Sequence, residues 1–148
     1  MPEKVIVRQN KDFAIGYWAN DPQEPDSQEL QPITSVFELS PYTMMLASLG
    51  ACSTIVVHTY AQNHAVDLEE VEISLEYLRE AKESSDGMEK YEERIVQQVA
   101  FRGELDSQEL DKLHIVAQNC SLHHMMDHGI EIQSELLEKE PEPLEASG

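Results

Sequence analysis

Basic side chains are scarce in this chain: 10 Lys and Arg stand against 29 Asp and Glu among 148 residues, a formal charge of −19. So anionic a surface repels phosphate backbones and acidic headgroups, so neither nucleic acid nor a membrane surface is an expected partner. Cysteine is scarcer still, with only Cys52 and Cys120. No basic segment followed by an apolar one opens the sequence, so the expected location is cytoplasmic. There, two distant cysteines read as reduced thiols rather than as a fixed structural disulfide. Charge of either sign is missing altogether from Leu39 to Val66. Length alone would let that stretch cross a bilayer. Ser48, Ser53, Thr54, His58, Thr59, Gln62, Asn63 and His64 interrupt it, however, and hydrocarbon solvates such groups poorly. A helix buried inside a soluble protein, or between two subunits, fits better.

What is present is globular. Apolar residues make up 41% of the chain, enough for one domain with a real core, expected over residues 1–137. The acidic end, 138–148, reads as a disordered tail. Val5 and Val7 alternate in a short strand from Lys4 to Arg8, and Phe13, Ile15 and Tyr17 do so from Asp12 to Ala19. Asp21 to Gln31 is a polar, Pro-punctuated loop, followed by a further strand over Thr34 to Glu38. Ser40-Pro41 supplies an N-cap and a first-turn proline for a helix to about His64, apolar on nearly all faces. Two long strands come next: Val71, Ile73, Leu75 and Tyr77 share one parity, and Tyr91, Ile95, Val99 and Phe101 repeat the pattern. Ser84-Ser85-Asp86-Gly87 is the hairpin loop between them. Asp106 and Glu109 form a capping box for a helix to about Ser121, with Leu110, Leu113, Ala117 and Cys120 on one stripe. Gly129 closes the following turn, and Ile130, Ile132, Ser134 and Leu136 mark a last strand.

Each cysteine lies on an apolar helical stripe, where a thiol is shielded until a substrate or a second thiol reaches it. Taken alone, a buried cysteine is more often a small hydrophobe than a reagent. Cys52 falls twelve residues past its helix start, about 18 Å along the axis, beyond the reach of the dipole at that end. A nucleophilic Cys52 therefore needs a cation or hydrogen-bond donor from elsewhere in the fold. Only Arg8, Arg79, Arg94 and Arg102 offer a guanidinium. Cys120 and His123 have C-x-x-H spacing, and His124 and His128 stand four apart, but no second such pair completes a zinc set. Met44, Met45, Met125 and Met126 suit core filling or the wall of an apolar pocket.

The run SPYTMMLASLGACS resembles the peroxidatic-helix motif of the OsmC/Ohr family, and ELDKLHIVAQNCSLHHMM resembles its second-cysteine motif. GIEIQSEL is similar to its closing strand, so the resemblance spans roughly Val5 to Leu137. It implies an α+β fold in which antiparallel sheets wrap two central helices in an intertwined homodimer, with active sites at the subunit interface. It further implies a peroxidase that reduces organic hydroperoxides without metal or organic cofactor. Cys52 would be the peroxidatic thiol, Cys120 the resolving thiol that forms a disulfide with it, and Arg8 the activating arginine. An external dithiol, a lipoyl protein, thioredoxin or a small thiol, would restore both. The sequence departs from the pattern at Tyr42 and Thr43, where many members carry an acidic residue that holds the arginine. Two other readings compete: an OsmC-like protein that binds a small apolar ligand or senses redox state at the dimer interface, and a metal module built on Cys120, His123, His124 and His128.

Overall fold

The computed structural model describes residues 3–24, 26–83, 86–88, 90–141 and 143. A single antiparallel sheet runs in the order β3-β2-β1-β4-β5. Its strands are β1 (Glu3–Asn10), β2 (Ile15–Asn20), β3 (Leu30–Pro32), β4 (Leu68–Lys82) and β5 (Lys90–Gly103). The long helix α1 (Pro41–Asn63) lies across one face of β1 and β4. Helices α2 (Ser107–Gln118) and α3 (Ser121–His128) pack against α1 in turn. This is the α+β architecture expected from the sequence.

Strand parity decides which face is dry. Val5 and Val7 of β1 sit opposite Leu75 and Ile73 of β4, and all four are buried beneath α1. The alternate residues face away from the helix, where Arg8 and Arg102 share Glu70 between them. Gly50 lets the helix come this close, because a Cβ there would stand 2.5 Å from Val7 Cγ2 and 2.9 Å from Leu75 Cδ1. Helix α1 starts as the sequence predicts: the Ser40 side chain accepts from the Thr43 N–H, and Pro41 fills the first position, where no N–H is needed. The helix is long and apolar enough to cross a membrane, yet half of its apolar window is buried against the rest of the chain.

Four expectations need correction. Thr34 to Glu38 is not a strand: Ser35 caps a 3-10 turn over Val36–Glu38, and Glu38 reaches back to the N–H groups of Thr34 and Ser35. The extra strand is β3 instead, which starts four residues earlier in the chain and pairs with β2. β2 begins at Ile15, because Asn10 Oδ1 draws the N–H groups of Asp12 and Ala14 into a turn that leaves Phe13 at φ 65°. The helix expected to reach Ser121 stops at Gln118, and Cys120 caps a new helix. Ile130 to Leu136 forms no strand: the alternation is present, but no strand among the described residues pairs with it, and Ile132 and Leu136 are 85% and 93% exposed. The Asp86-Gly87 part of the predicted hairpin loop is a turn, while Ser84 and Ser85 lie outside the described residues. Of the predicted tail, only 138–141 and 143 are described.

Candidate active site

Cys52 sits on the α1 face that also carries Met45, Leu49 and Val56, one helical turn or two away in each direction. That face meets α3. Cys52 is half-buried, whereas Cys120 is fully buried at the junction of α2 and α3. Both are free thiols. The fold brings together two residues that are far apart in sequence, because the α2–α3 break turns Cys120 in against the middle of α1.

The sulfur surroundings are specific. Cys120 Sγ accepts the backbone N–H of His123 at 3.2 Å, taking the place of the oxygen that usually caps a helix. Ser53 Oγ, buried on α1, lies 3.4 Å from the same sulfur. On the other side, Ser121 Oγ lies 4.0 Å from Cys52 Sγ, the outer limit for a hydroxyl–sulfur hydrogen bond. Burial pushes the Cys120 thiol above its ordinary pKa. The Ser53 hydroxyl and the His123 N–H pull it down, and the neighbouring Cys52 pushes it up again. Burial wins, so Cys120 is held as the protonated thiol.

This shift has a sign in solution. The folded protein holds the Cys120 proton more tightly than the unfolded chain does. The resulting stability is complete below about pH 8.5, the ordinary thiol value, and is lost as pH climbs through the raised folded value. Iodoacetamide at about pH 8 is accordingly expected to label Cys52 in the native protein and to spare Cys120 until denaturant is added. Peptide mass mapping checks both sites.

A cleft of about 580 Å³ lies between α1, α3 and the β4–β5 hairpin; neither cysteine lines it, and its nearest links to them are Leu49, three residues before Cys52, and His123, whose N–H binds Cys120. Met45, Leu49, Ile95 and Met126 form its apolar part, while Tyr77, Glu93, Arg94, Gln97, His123 and Asp127 line the rest, so of the four arginines Arg94 is the one that reaches this cleft. Nδ1 of His123 is buried without a hydrogen-bond partner among the described residues. Burial and the adjacent Glu93 carboxylate hold the Tyr77 phenol above its ordinary pKa.

Arg8 is not brought to the sulfur atoms. Its even parity on β1 puts it on the sheet face opposite α1, where its guanidinium pairs with Glu72 at 2.9 Å and Glu70 at 3.5 Å. The same guanidinium lies over the Trp18 ring at 5.0 Å. Tyr42, which with Thr43 occupies the neighbourhood where the resemblance calls for an acid, stacks on Tyr77 at 4.8 Å. The four residues of the metal reading do not converge either: no group of three or more His, Cys, Asp or Glu among the described residues could hold a metal ion. Sequence reasoning missed Ser53 and Ser121. The available signal was that each cysteine is followed directly by a serine.

A sequence model of the OsmC-like protein family matches residues 35–135, a span that holds α1, the hairpin and both cysteines. No curated protein sequence matches the chain. Among solved structures, the fold is similar to the crystal structure of an OsmC-like hydroperoxide resistance protein from Jannaschia sp. CCS1. The TM-score is 0.63 at 10% identity, over 92% of this chain and 93% of that one. At such low identity the structural likeness speaks for the fold, while the family match covers more than half of the sequence. This chain therefore belongs to the OsmC-like protein family.

Proposed function

We propose that this protein is a thiol-dependent peroxidase that reduces organic hydroperoxides. The observation that carries the reading is the unequal pair where α1 meets α3: a half-buried Cys52 that a peroxide can reach and a buried, protonated Cys120 beside it. The similarity to a protein described as conferring hydroperoxide resistance supports it.

The Cys52 thiolate attacks the distal oxygen of the hydroperoxide. A sulfur–oxygen bond forms as the oxygen–oxygen bond breaks, and the leaving alkoxide takes a proton to depart as an alcohol. Cys52 becomes a sulfenic acid, oxidised by two electrons. The Cys120 thiol then attacks that sulfur and expels water, leaving a Cys52–Cys120 disulfide. An external dithiol reduces the bond by two exchange steps and is itself oxidised to a disulfide. Met45, Leu49 and Val56, the apolar neighbours of Cys52 on its face of α1, favour an organic peroxide over hydrogen peroxide. No metal or organic cofactor enters these steps.

The working unit in this proposal is a homodimer in the cytoplasm. Met44 and Ile55 on α1, together with Ile130, Ile132, Leu136 and Leu137 beyond α3, are exposed in one subunit and unusually apolar for solvent. A second copy would cover them, and would close the cleft against water.

One equivalent of cumene hydroperoxide is the direct test. Intact-mass spectrometry is expected to read the loss of two hydrogens per chain, and peptide mapping to find Cys52 joined to Cys120. Thiols that survive the peroxide would sink the peroxidase and leave the ligand-binding reading of the cleft.

A further inference from the structure

The two serines that follow the cysteines are crossed in space. Ser53, next to Cys52 in the chain, lies against Cys120, and Ser121, next to Cys120, lies against Cys52. Among the described residues no guanidinium or ammonium group lies within hydrogen-bond distance of the Cys52 sulfur. It stands too far along α1 to feel the dipole at that helix start, and Arg8 is engaged on the far face of the sheet. Apart from the Cys120 thiol, the Ser121 hydroxyl is the one side-chain donor within hydrogen-bond distance of the Cys52 sulfur among the described residues. Ser121 is also the first residue of α3, where backbone N–H groups have no partner within the helix and the local field favours negative charge.

Building on the peroxidase reading, we propose that Ser121 is a catalytic residue, the hydroxyl that donates to the Cys52 thiolate and keeps it ready for the peroxide. The partner serine has a different task. Ser53 and the His123 N–H grip Cys120 from two sides, so the resolving sulfur keeps one position while Cys52 changes oxidation state. The crossing ties the two roles together. The α3 start that is capped by one cysteine delivers the donor to the other.

A hydrogen bond to a charged sulfur changes two quantities in opposite directions. It raises the share of thiolate at neutral pH, and it makes each thiolate less nucleophilic by roughly the square root of the same factor. Removing a donor that stabilises the thiolate roughly tenfold should therefore cross the reactivity curves. Cys52 of Ser121→Ala is expected to react with iodoacetamide roughly threefold more slowly than wild type at about pH 7, and roughly threefold faster at about pH 10. Ser121→Thr, which keeps the hydroxyl, is expected to follow the wild-type curve.

Damage to the α3 seat would move both rates in one direction, so a parallel shift, or none, overturns the proposal. The alkylation readout does not depend on peroxide chemistry. If wild-type Cys52 ignores cumene hydroperoxide while the curves cross, the peroxidase falls and the Ser121–Cys52 bond stands. If peroxide yields the disulfide but the curves do not cross, the reverse holds.

Discussion

Cys52→Ser is expected to lower hydroperoxide consumption by about a thousandfold or more, a loss of about 4 kcal/mol of transition-state stabilisation. The argument is chemical rather than structural. A serine hydroxyl is nearly isosteric with the thiol, and Cys52 is only half-buried, so the fold should survive the change. What disappears is a polarisable anion at neutral pH, since a hydroxyl ionises far less readily than a thiol. Cys120→Ser has a different signature. It leaves the nucleophile in place and removes the second sulfur, so one equivalent of peroxide is consumed and turnover then halts at a Cys52 sulfenic acid or a mixed disulfide. A coupled assay for alcohol formation, with trapping of the sulfenic acid by dimedone, separates the two variants. Equal activity in Cys52→Ser and wild type would end the mechanism.

Leu75→Ala is expected to cost about 2–5 kcal/mol of stability, read as a shift of the urea midpoint at fixed protein concentration. Leu75 is 0% exposed, pairs with Val5 across the sheet, and touches the place where Gly50 brings α1 down. Its removal leaves a hole at the closest approach of helix and sheet. Glycine has no side chain to fill that hole, and Val7 is already packed beside it. The same contact sets the height of α1 over the sheet, and with it the position of Cys52 two residues further on. Partial loss of peroxidase activity in folded Leu75→Ala is therefore expected alongside the stability loss.

The segments that were legible in the sequence share one property: local chemistry is enough to specify them. Ser40-Pro41 dictates a helix start wherever it occurs, and the Asp106–Glu109 capping box does the same for α2. The parity of Val71, Ile73, Leu75 and Tyr77 names the buried face of β4 without knowledge of the partner strand. The segments that were misread share the opposite property. Ile130 to Leu136 alternates like a strand, but alternation supplies no hydrogen-bond partner. Cys120 reads as the last apolar position of α2 because sulfur is an uncommon helix cap, and only packing against Ser53 and α1 explains the break there. Arg8 is the one arginine on the N-terminal strands, and the two-residue period of β1 places it, within one subunit, on the sheet face opposite α1.

By itself, then, the sequence determined most of the helices and strands, the inward face of the central strands, the acidic surface and the two cysteines as the candidate site. Each of these follows from composition or from a period of two or of 3.6 residues. Only the tertiary structure decided that the sulfurs meet, that serines rather than an arginine attend them within one subunit, and that one thiol is sealed while the other is open. Those are relations between residues some seventy positions apart, and they depend on where helices break and on how closely α1 can approach the sheet. No local pattern encodes a distance of that kind.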